Sequence, residues 1–444
     1  MSEHLNFLNS FIQRIGRGQP DKKSASPEDI IDQCHQLVSK NSEATSFSLA
    51  TIILEDFSTL KENQKKEFFL RLLDQFSVDR SKLKQAISTL NISDEKQLRT
   101  LHNLTEPKSQ ELLRRLNQVP NGTAVLLKMR ESLLVSMKES PELKSLDIDF
   151  VDLFKSWFNR GFLRLERIDW STSAQILEKI MEYEAVHHIS DWNDLQNRVA
   201  AADRRLYAFF HPALPNEPLI FIEVALMDDS PNSIMPILDT SIKPINPLSS
   251  STAVFYSISN CQMGLKNVSF GSFLIKQVVA EIEQEFKQIN EFVTLSPVPG
   301  FKNWAQKALV ADSKKVPDNI FEDIQECVGK SNPDEFILIR LTYYYLTQVK
   351  RKNGNAANPV AHFHLGNGAS LYKIHANANN NQAALDDSWG VMVNYLYDSE
   401  MVAKNHEDYA NMEQVAVFPK LKKAIQSNKT VSYTHLTLPT MCVV

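Results

Sequence analysis

The sequence predicts a two-part fold, an all-helical bundle at the N-terminus followed by a mixed α/β domain of the α+β or α/β class. Three observations predict it. Between residues 19 and 160 the sole glycine is Gly122. Eight of the twelve glycines fall between 264 and 390, where the backbone must turn tightly or approach something closely. Apolar residues recur at helical spacing before Trp157 and gather in short β-branched and aromatic runs after it.

The helical part announces its starts. Ser26-Pro27-Glu28-Asp29 offers a cap, a proline at the first helical position and acids in the first turn. Ser140-Pro141-Glu142 repeats the device. Phe68, Leu70, Leu72, Leu73 and Phe76 keep a helical rather than an alternating pattern. Residues 27 to about 160 therefore read as a helical bundle with no chemistry of its own.

The second part reads as strands and helices in turn. Residues 206–227 predict two strands joined by a Pro/Asn turn, and Thr252 to Ser259 another. A loop runs to Ser269, then a helix from about Gly271 to Phe286, then a strand from Phe292 to Leu295. Residues 302–350 return to helix. Residues 359–377 read as strand, turn and strand around Gly366-Asn367-Gly368, and Val391 to Tyr397 as a last strand. The predicted domains are 1–160, 161–430 and a tail, 431–444. The last fourteen residues look discontinuous with the basic helix at Phe418 to Lys429, and they are expected to be a sequencing or cloning scar that carries Cys442 and His435 with it.

Composition excludes several classes. The chain has 444 residues, 43% hydrophobic and 23% charged, as an ordinary soluble protein does. A net charge of -5 gives no reason to expect nucleic-acid or membrane partners. The longest apolar-rich runs are far short of the ~20 residues of a membrane span. The N-terminus is too polar for a secretory signal. Arg14 and Arg17 fit a transit peptide, but Glu3 and the short length favour a soluble first helix. The four cysteines, Cys34, Cys261, Cys327 and Cys442, lie far apart. They predict neither a zinc site nor a disulfide framework, and a reducing cytoplasm is the expected compartment.

Three constellations carry possible chemistry. The strand 252–259, the loop and the helix opening at Ser269-Phe270-Gly271-Ser272 form a βαβ unit whose helix N-terminus suits an anion. A glycine there for packing is the plainer alternative. Ser296 ends the next strand, where ligands of open α/β sheets sit. It is equally a serine opening the turn Pro297-Val298-Pro299-Gly300. His362 and His364, if in a strand, point to the same face. A half-buried polar pair and a metal pair are the alternatives, but no third ligand stands at a convincing spacing, so no metal is expected.

At these residues the sequence resembles the malonyl-CoA decarboxylases. The resemblance covers most of the chain and is densest from Ser156 to Tyr397. It is carried by SWFNRGFLRLERIDW (156–170), EAVHHISDW (184–192), TAVFYSIS (252–259), GLKNVSFGSFLIKQVV (264–279), TLSPVPGF (294–301) and NPVAHFHLGNGA (358–369). It implies a helical N-terminal oligomerisation domain, a catalytic domain like the GCN5-related acetyltransferases (GNAT-like), and a homo-oligomer, dimer or tetramer. It implies that Lys266, Asn267, Val268, Ser269, Phe270, Gly271 and Ser272 bind the coenzyme A pyrophosphate. Ser296 and His364 match the family's catalytic serine and histidine. Ser257, Asn394 and Tyr397 fall in stretches that look like its acyl-site wall. The chain has Leu396 where the family can carry an arginine. Ser173 and Ala174 stand where some members form an inter-subunit disulfide.

The implied reaction is malonyl-CoA to acetyl-CoA and CO2. Loss of CO2 from a malonyl thioester leaves an enolate, and donors aimed at the thioester oxygen lower the barrier. Histidine suits delivery of a proton to the enolate carbon near neutrality. A serine hydroxyl can hold the leaving carboxylate out of the thioester plane. The expectation is Ser296 on the carboxylate and His364 as proton donor, with the reverse left open. The β-carbonyl is its own electron sink, so no cofactor is expected. A role in fatty acid metabolism, by clearing malonyl-CoA, and one in malonate degradation both fit. The competing reading is a GNAT-type transferase moving an acyl group from coenzyme A to an amine. It would need a carboxylate base and an open acceptor channel in place of a Ser/His pair.

Overall fold

The computed structural model describes residues 25–39, 42–268, 273–310 and 316–426. The predicted tail with His435 and Cys442, the basic N-terminal stretch, and Ser269, Phe270, Gly271 and Ser272 lie outside the described residues. The chain forms two compact units. The first takes residues up to 164 together with 209–219 and 260–270; the second takes 165–208, 220–259 and 271 onward.

The first unit is helical. Its helices are α1 (Pro27–Val38), α2 (Glu43–Thr59), α3 (Glu62–Phe76), α4 (Arg80–Ser88), α5 (Glu95–Thr105), α6 (Lys108–Leu116), α7 (Gly122–Ser136) and α8 (Lys144–Trp157). The Ser26 cap forms as predicted: its hydroxyl accepts from the Asp29 amide, and Asp29 accepts from the Ser26 amide. Ser140-Pro141-Glu142 opens only a single 3-10 turn, Pro141–Leu143, which leads into α8. The core holds the helically spaced residues Ile30, Ile53, Phe57, Phe68, Phe69, Leu72, Leu126, Phe150 and Phe154. Phe57 and Phe69 each meet Phe68 edge to face. Helices α4 and α5 bury no residue of their own.

The sheet begins with β1 (Arg164–Ile168), an edge strand that the sequence pattern did not reveal because the adjacent charges of Glu166 and Arg167 break the two-residue alternation. Helices α9 (Ala174–Tyr183) and α10 (Trp192–Val199) follow, then β2 (Arg204–Phe210), β3 (Ile220–Met227) and β4 (Thr252–Asn260). Next come α11 (Phe273–Glu285), β5 (Glu291–Thr294), β6 (Ser296–Pro297), α12 (Phe301–Val310), α13 (Asp318–Val328) and α14 (Glu335–Gln348). The chain then forms α15 (Pro359–Gly366), β7 (Ser370–His375), α16 (Gln382–Ser388), β8 (Met392–Leu396), α17 (Val402–Met412) and α18 (Pro419–Gln426). Strands hydrogen-bond in the order β1-β2-β3-β4-β5-β8, with β6 and β7 also pairing β8. β4 and β5 run parallel, as the βαβ reading requires. Among the described residues no helix is long and apolar enough to cross a membrane.

One prediction fails. Residues 359–366 are helix, not strand. Asn358 caps that helix by accepting from the Ala361 amide, and Pro359 occupies its first position. This start signal outweighs the strand propensity of Val360 and Phe363. His362 and His364 therefore point to different sides.

Candidate active site

The site grows out of an interruption in the sheet. β5 and β6 keep one register along β8, Val293 opposite Leu396 and Ser296 opposite Val393. Between those pairs, side chains replace the main-chain ladder. The Thr294 hydroxyl oxygen accepts the Tyr395 amide at 3.1 Å, and the Asn394 side-chain amide donates to the Thr294 carbonyl at 2.7 Å. The alternation of a strand then sorts the side chains. Val293, Leu295 and Met392 enter one apolar cluster with Val254 and Tyr256. Thr294, Ser296 and Tyr395 face the other way, towards His364.

Ser296 and His364 meet there. The Ser296 Oγ lies 3.1 Å from Nε2 of His364. Nδ1 of the same ring lies 2.9 Å from the Tyr397 hydroxyl. Tyr395 stacks on the imidazole at 4.7 Å between centroids, and Phe255 meets Tyr397 edge on. Ser296 donates to the Thr294 hydroxyl oxygen at 2.9 Å. Asn358 joins the two halves: while capping α15 it donates to the Pro299 carbonyl at 2.9 Å, in the turn that follows Ser296. Gly368 ends the helical segment at φ +88, and a side chain there would strike the Val402 carbonyl.

Burial sets the charge state. His364 is 3% exposed, and burial lowers its pKa to about 3. The imidazole is therefore neutral at pH 7, with one N–H to give. Burial also drives the Tyr397 phenol well above its usual range, so it keeps its proton.

The other predicted residues separate. Ser257, buried on β4, donates to both oxygens of Glu184, which also receives the Ser259 hydroxyl and the amides of Val186 and His187. Asn394 lies on the opposite face of β8 from Tyr395, bonded to His375 Nε2 at 2.6 Å and to the Thr294 carbonyl. In the helical unit, Lys266 and Asn267 are exposed, Asn267 at φ 65, and Val268 is buried. His362 turns to the Tyr409 hydroxyl, 2.9 Å away. Among the described residues no three His, Cys, Asp or Glu side chains gather as a metal would require.

Residues 161–434 match the model of the malonyl-CoA decarboxylase C-terminal domain, and residues 76–158 match that of the N-terminal domain. The chain belongs to the malonyl-CoA decarboxylase family. Mitochondrial malonyl-CoA decarboxylase of Anser anser anser is 34% identical over 342 residues, 70% of this chain and 68% of that protein. The Mus musculus protein is 34% identical over 344 residues, 70% and 69%. The crystal structure of malonyl-CoA decarboxylase from Rhodopseudomonas palustris superposes with a TM-score of 0.84 at 43% identity, covering 90% of this chain and all (100%) of that one. The Agrobacterium vitis enzyme gives 0.81 at 41%, covering 90% and 99%.

Several residues of this family member escaped the sequence reading. Thr294 and Asn358 lay inside quoted stretches without a role, and Glu184 opened another. Arg130 was hidden in a helix. It is fully buried in α7, donates to Asp147 at 2.8 Å and to the Gly264 carbonyl at 2.6 Å, and so fixes the start of the 264–268 segment. A lone arginine on a helical stripe of Leu and Met was the available signal. An arginine buried without a partner would be too costly to retain.

Proposed function

We propose that the protein converts malonyl-CoA to acetyl-CoA and CO2. The observation that carries the reading is the buried contact between Ser296 and a neutral His364. A buried hydroxyl can orient the malonyl carboxylate across the thioester plane, and an imidazole N–H can supply the proton that the enolate carbon takes. We assign Ser296 to the carboxylate and His364 to protonation. A second reading has support in the 3.1 Å contact itself, since a neutral ring aims its Nε2 at Ser296. In that reading Ser296 hands its own proton to carbon and is refilled from Nε2. The rate of acetyl-CoA formation in mixtures of H2O and D2O separates the two. One moving proton gives a linear dependence on solvent composition and two give a curved one.

Lys266, Asn267 and Val268, continuing into Ser269, Phe270, Gly271 and Ser272, are our candidates for the coenzyme A pyrophosphate. Ser257 and Tyr397 are candidates for the acyl wall, with Asn394 behind it. We read 161–430 as the catalytic domain and 1–160 as a homo-oligomerisation domain. Exposed Ile87, Ile92 and Leu98 on α4, α5 and the turn between them support that reading. The buried thiols of Cys34 and Cys327 support a reducing, cytoplasmic setting. No cofactor, nucleic acid or membrane enters the proposed reaction.

The deciding experiment incubates the EDTA-treated protein with malonyl-CoA and follows acetyl-CoA by chromatography. Turnover without added cofactor is expected. His364→Asn and Ser296→Ala should each lose roughly 10²–10⁴-fold in turnover while coenzyme A still binds. Wild-type rates in both variants would remove the assignment.

A further inference from the structure

The hydroxyls around His364 form a chain with a direction. Tyr397 touches Nδ1 at 2.9 Å and Ser296 touches Nε2 at 3.1 Å. A neutral imidazole can donate through only one of these nitrogens. The geometry at the far end decides which. With substrate absent and the Ser296 proton directed to Thr294 Oγ1, 2.9 Å away, Ser296 accepts on its ring side. Nε2 then carries the hydrogen, and Nδ1 accepts from the Tyr397 hydroxyl.

Thr294 is fully buried, and its hydroxyl oxygen is already fixed by the Tyr395 amide at 3.1 Å. Its carbonyl is fixed by Asn394. The acceptor for the Ser296 proton is thus built from the interrupted ladder between β5 and β8, and it is not free to turn away. We propose that Thr294 is a positioning residue that sets the direction of the chain Tyr397 to His364 to Ser296 to Thr294, and so holds His364 in its Nε2–H form. The proposal rests on the Ser296 and His364 assignment for its catalytic consequence, but not for the tautomer itself. Without this acceptor, the Ser296 proton would turn to Nε2 and leave Nδ1 to carry the hydrogen. A histidine held in the wrong tautomer is known to be costly in hydroxyl–imidazole pairs.

Ring-15N-histidine labelling reads the tautomer directly, with the His364 signals identified by their loss in His364→Gln. The wild type and Thr294→Ser should show Nε2–H. Thr294→Val should show Nδ1–H, with kcat lowered roughly 10²-fold and KM for malonyl-CoA little changed. Thr294→Ala, made in parallel, carries the same comparison if the valine variant does not fold. Nδ1–H in the wild type overturns the proposal. So does Nε2–H persisting in the valine or alanine variant, whatever its rate. The spectra are taken without substrate, so they stand apart from the malonyl-CoA turnover assay.

Discussion

The Tyr397 hydroxyl lies 2.9 Å from Nδ1 of His364, and both groups are buried. A phenol that keeps its proton is the natural donor to that nitrogen. Tyr397→Phe removes the donor and keeps the ring that Phe255 packs against. We expect a stability loss of about 1–2 kcal/mol, because Nδ1 is left buried without a partner. We expect kcat to fall by roughly 10-fold or more while KM stays near wild type, since the hydroxyl acts on the ring. Steady-state kinetics beside urea unfolding check both, and an unchanged kcat would detach Tyr397 from the chemistry.

The buried Arg130 makes a separate prediction for the helical unit. Arg130→Met leaves the Asp147 carboxylate and the Gly264 carbonyl unpaired in the interior. Breaking one side of such a pair costs about 3–5 kcal/mol. The double variant Arg130→Met with Asp147→Leu should recover more than half of that loss, because no lone charge remains. Urea midpoints for the single and double variants decide it. Equal losses in both would mean that packing of the arginine stem, not its charge, carries the effect.

How much of this was legible in the sequence follows from the range of each interaction. The Ser26 cap, the proline starts and the β4-α11-β5 unit depend on neighbours, and their signals lie within a few residues. Ser296 was expected to end the strand before it; instead β5 stops at Thr294 and Ser296 opens β6. The pairing of His364 with Tyr397 spans 33 positions (397 less 364), and local patterning holds nothing about it. The helix at 359–366 was misread because Val, His and Phe fit a pleated strand, although Asn358 and Pro359 stood in cap position. Thr294 was invisible as a proton acceptor because its role arises only where β5 and β8 lose their ladder. The resemblance reached Ser296 and His364 directly, but it said nothing of what holds them.

Asn394 is a test of that interruption. Its amide reaches the Thr294 carbonyl at 2.7 Å and its oxygen meets His375 at 2.6 Å, on the face of β8 away from His364. Asn394→Ala takes the side-chain donor from the buried Thr294 carbonyl, at a cost of about 1–3 kcal/mol, and removes one contact of the His375 ring. We expect a clear drop in thermal midpoint, and a fall in kcat that follows the loosened Thr294 rather than any lost substrate contact. KM for malonyl-CoA should therefore change little. A large rise in KM with intact stability would move Asn394 into the acyl wall itself.

The last prediction concerns pH. Burial lowers the pKa of His364 to about 3 and of His187 and His375 to about 4. Each histidine then binds fewer protons folded than unfolded between its folded pKa and the ordinary value near 6.5. In that window stability rises with pH and is lost as pH falls. The slope is on the order of 1 kcal/mol per pH unit for each ring. Glu223 works in the opposite sense. Burial raises its pKa to about 7 against the pull of Arg198, so between about 4.5 and 7 it favours the folded state at lower pH. One such group offsets one of the three rings and leaves a net acid lability. Urea midpoints at pH 7, 6 and 5 should fall in that order. Over the same range kcat of the folded protein should show no inflection near 6.5, because His364 stays neutral throughout. An inflection there would mean that the ring titrates as an exposed imidazole does, and that the pair it forms with Ser296 opens to water before the reaction.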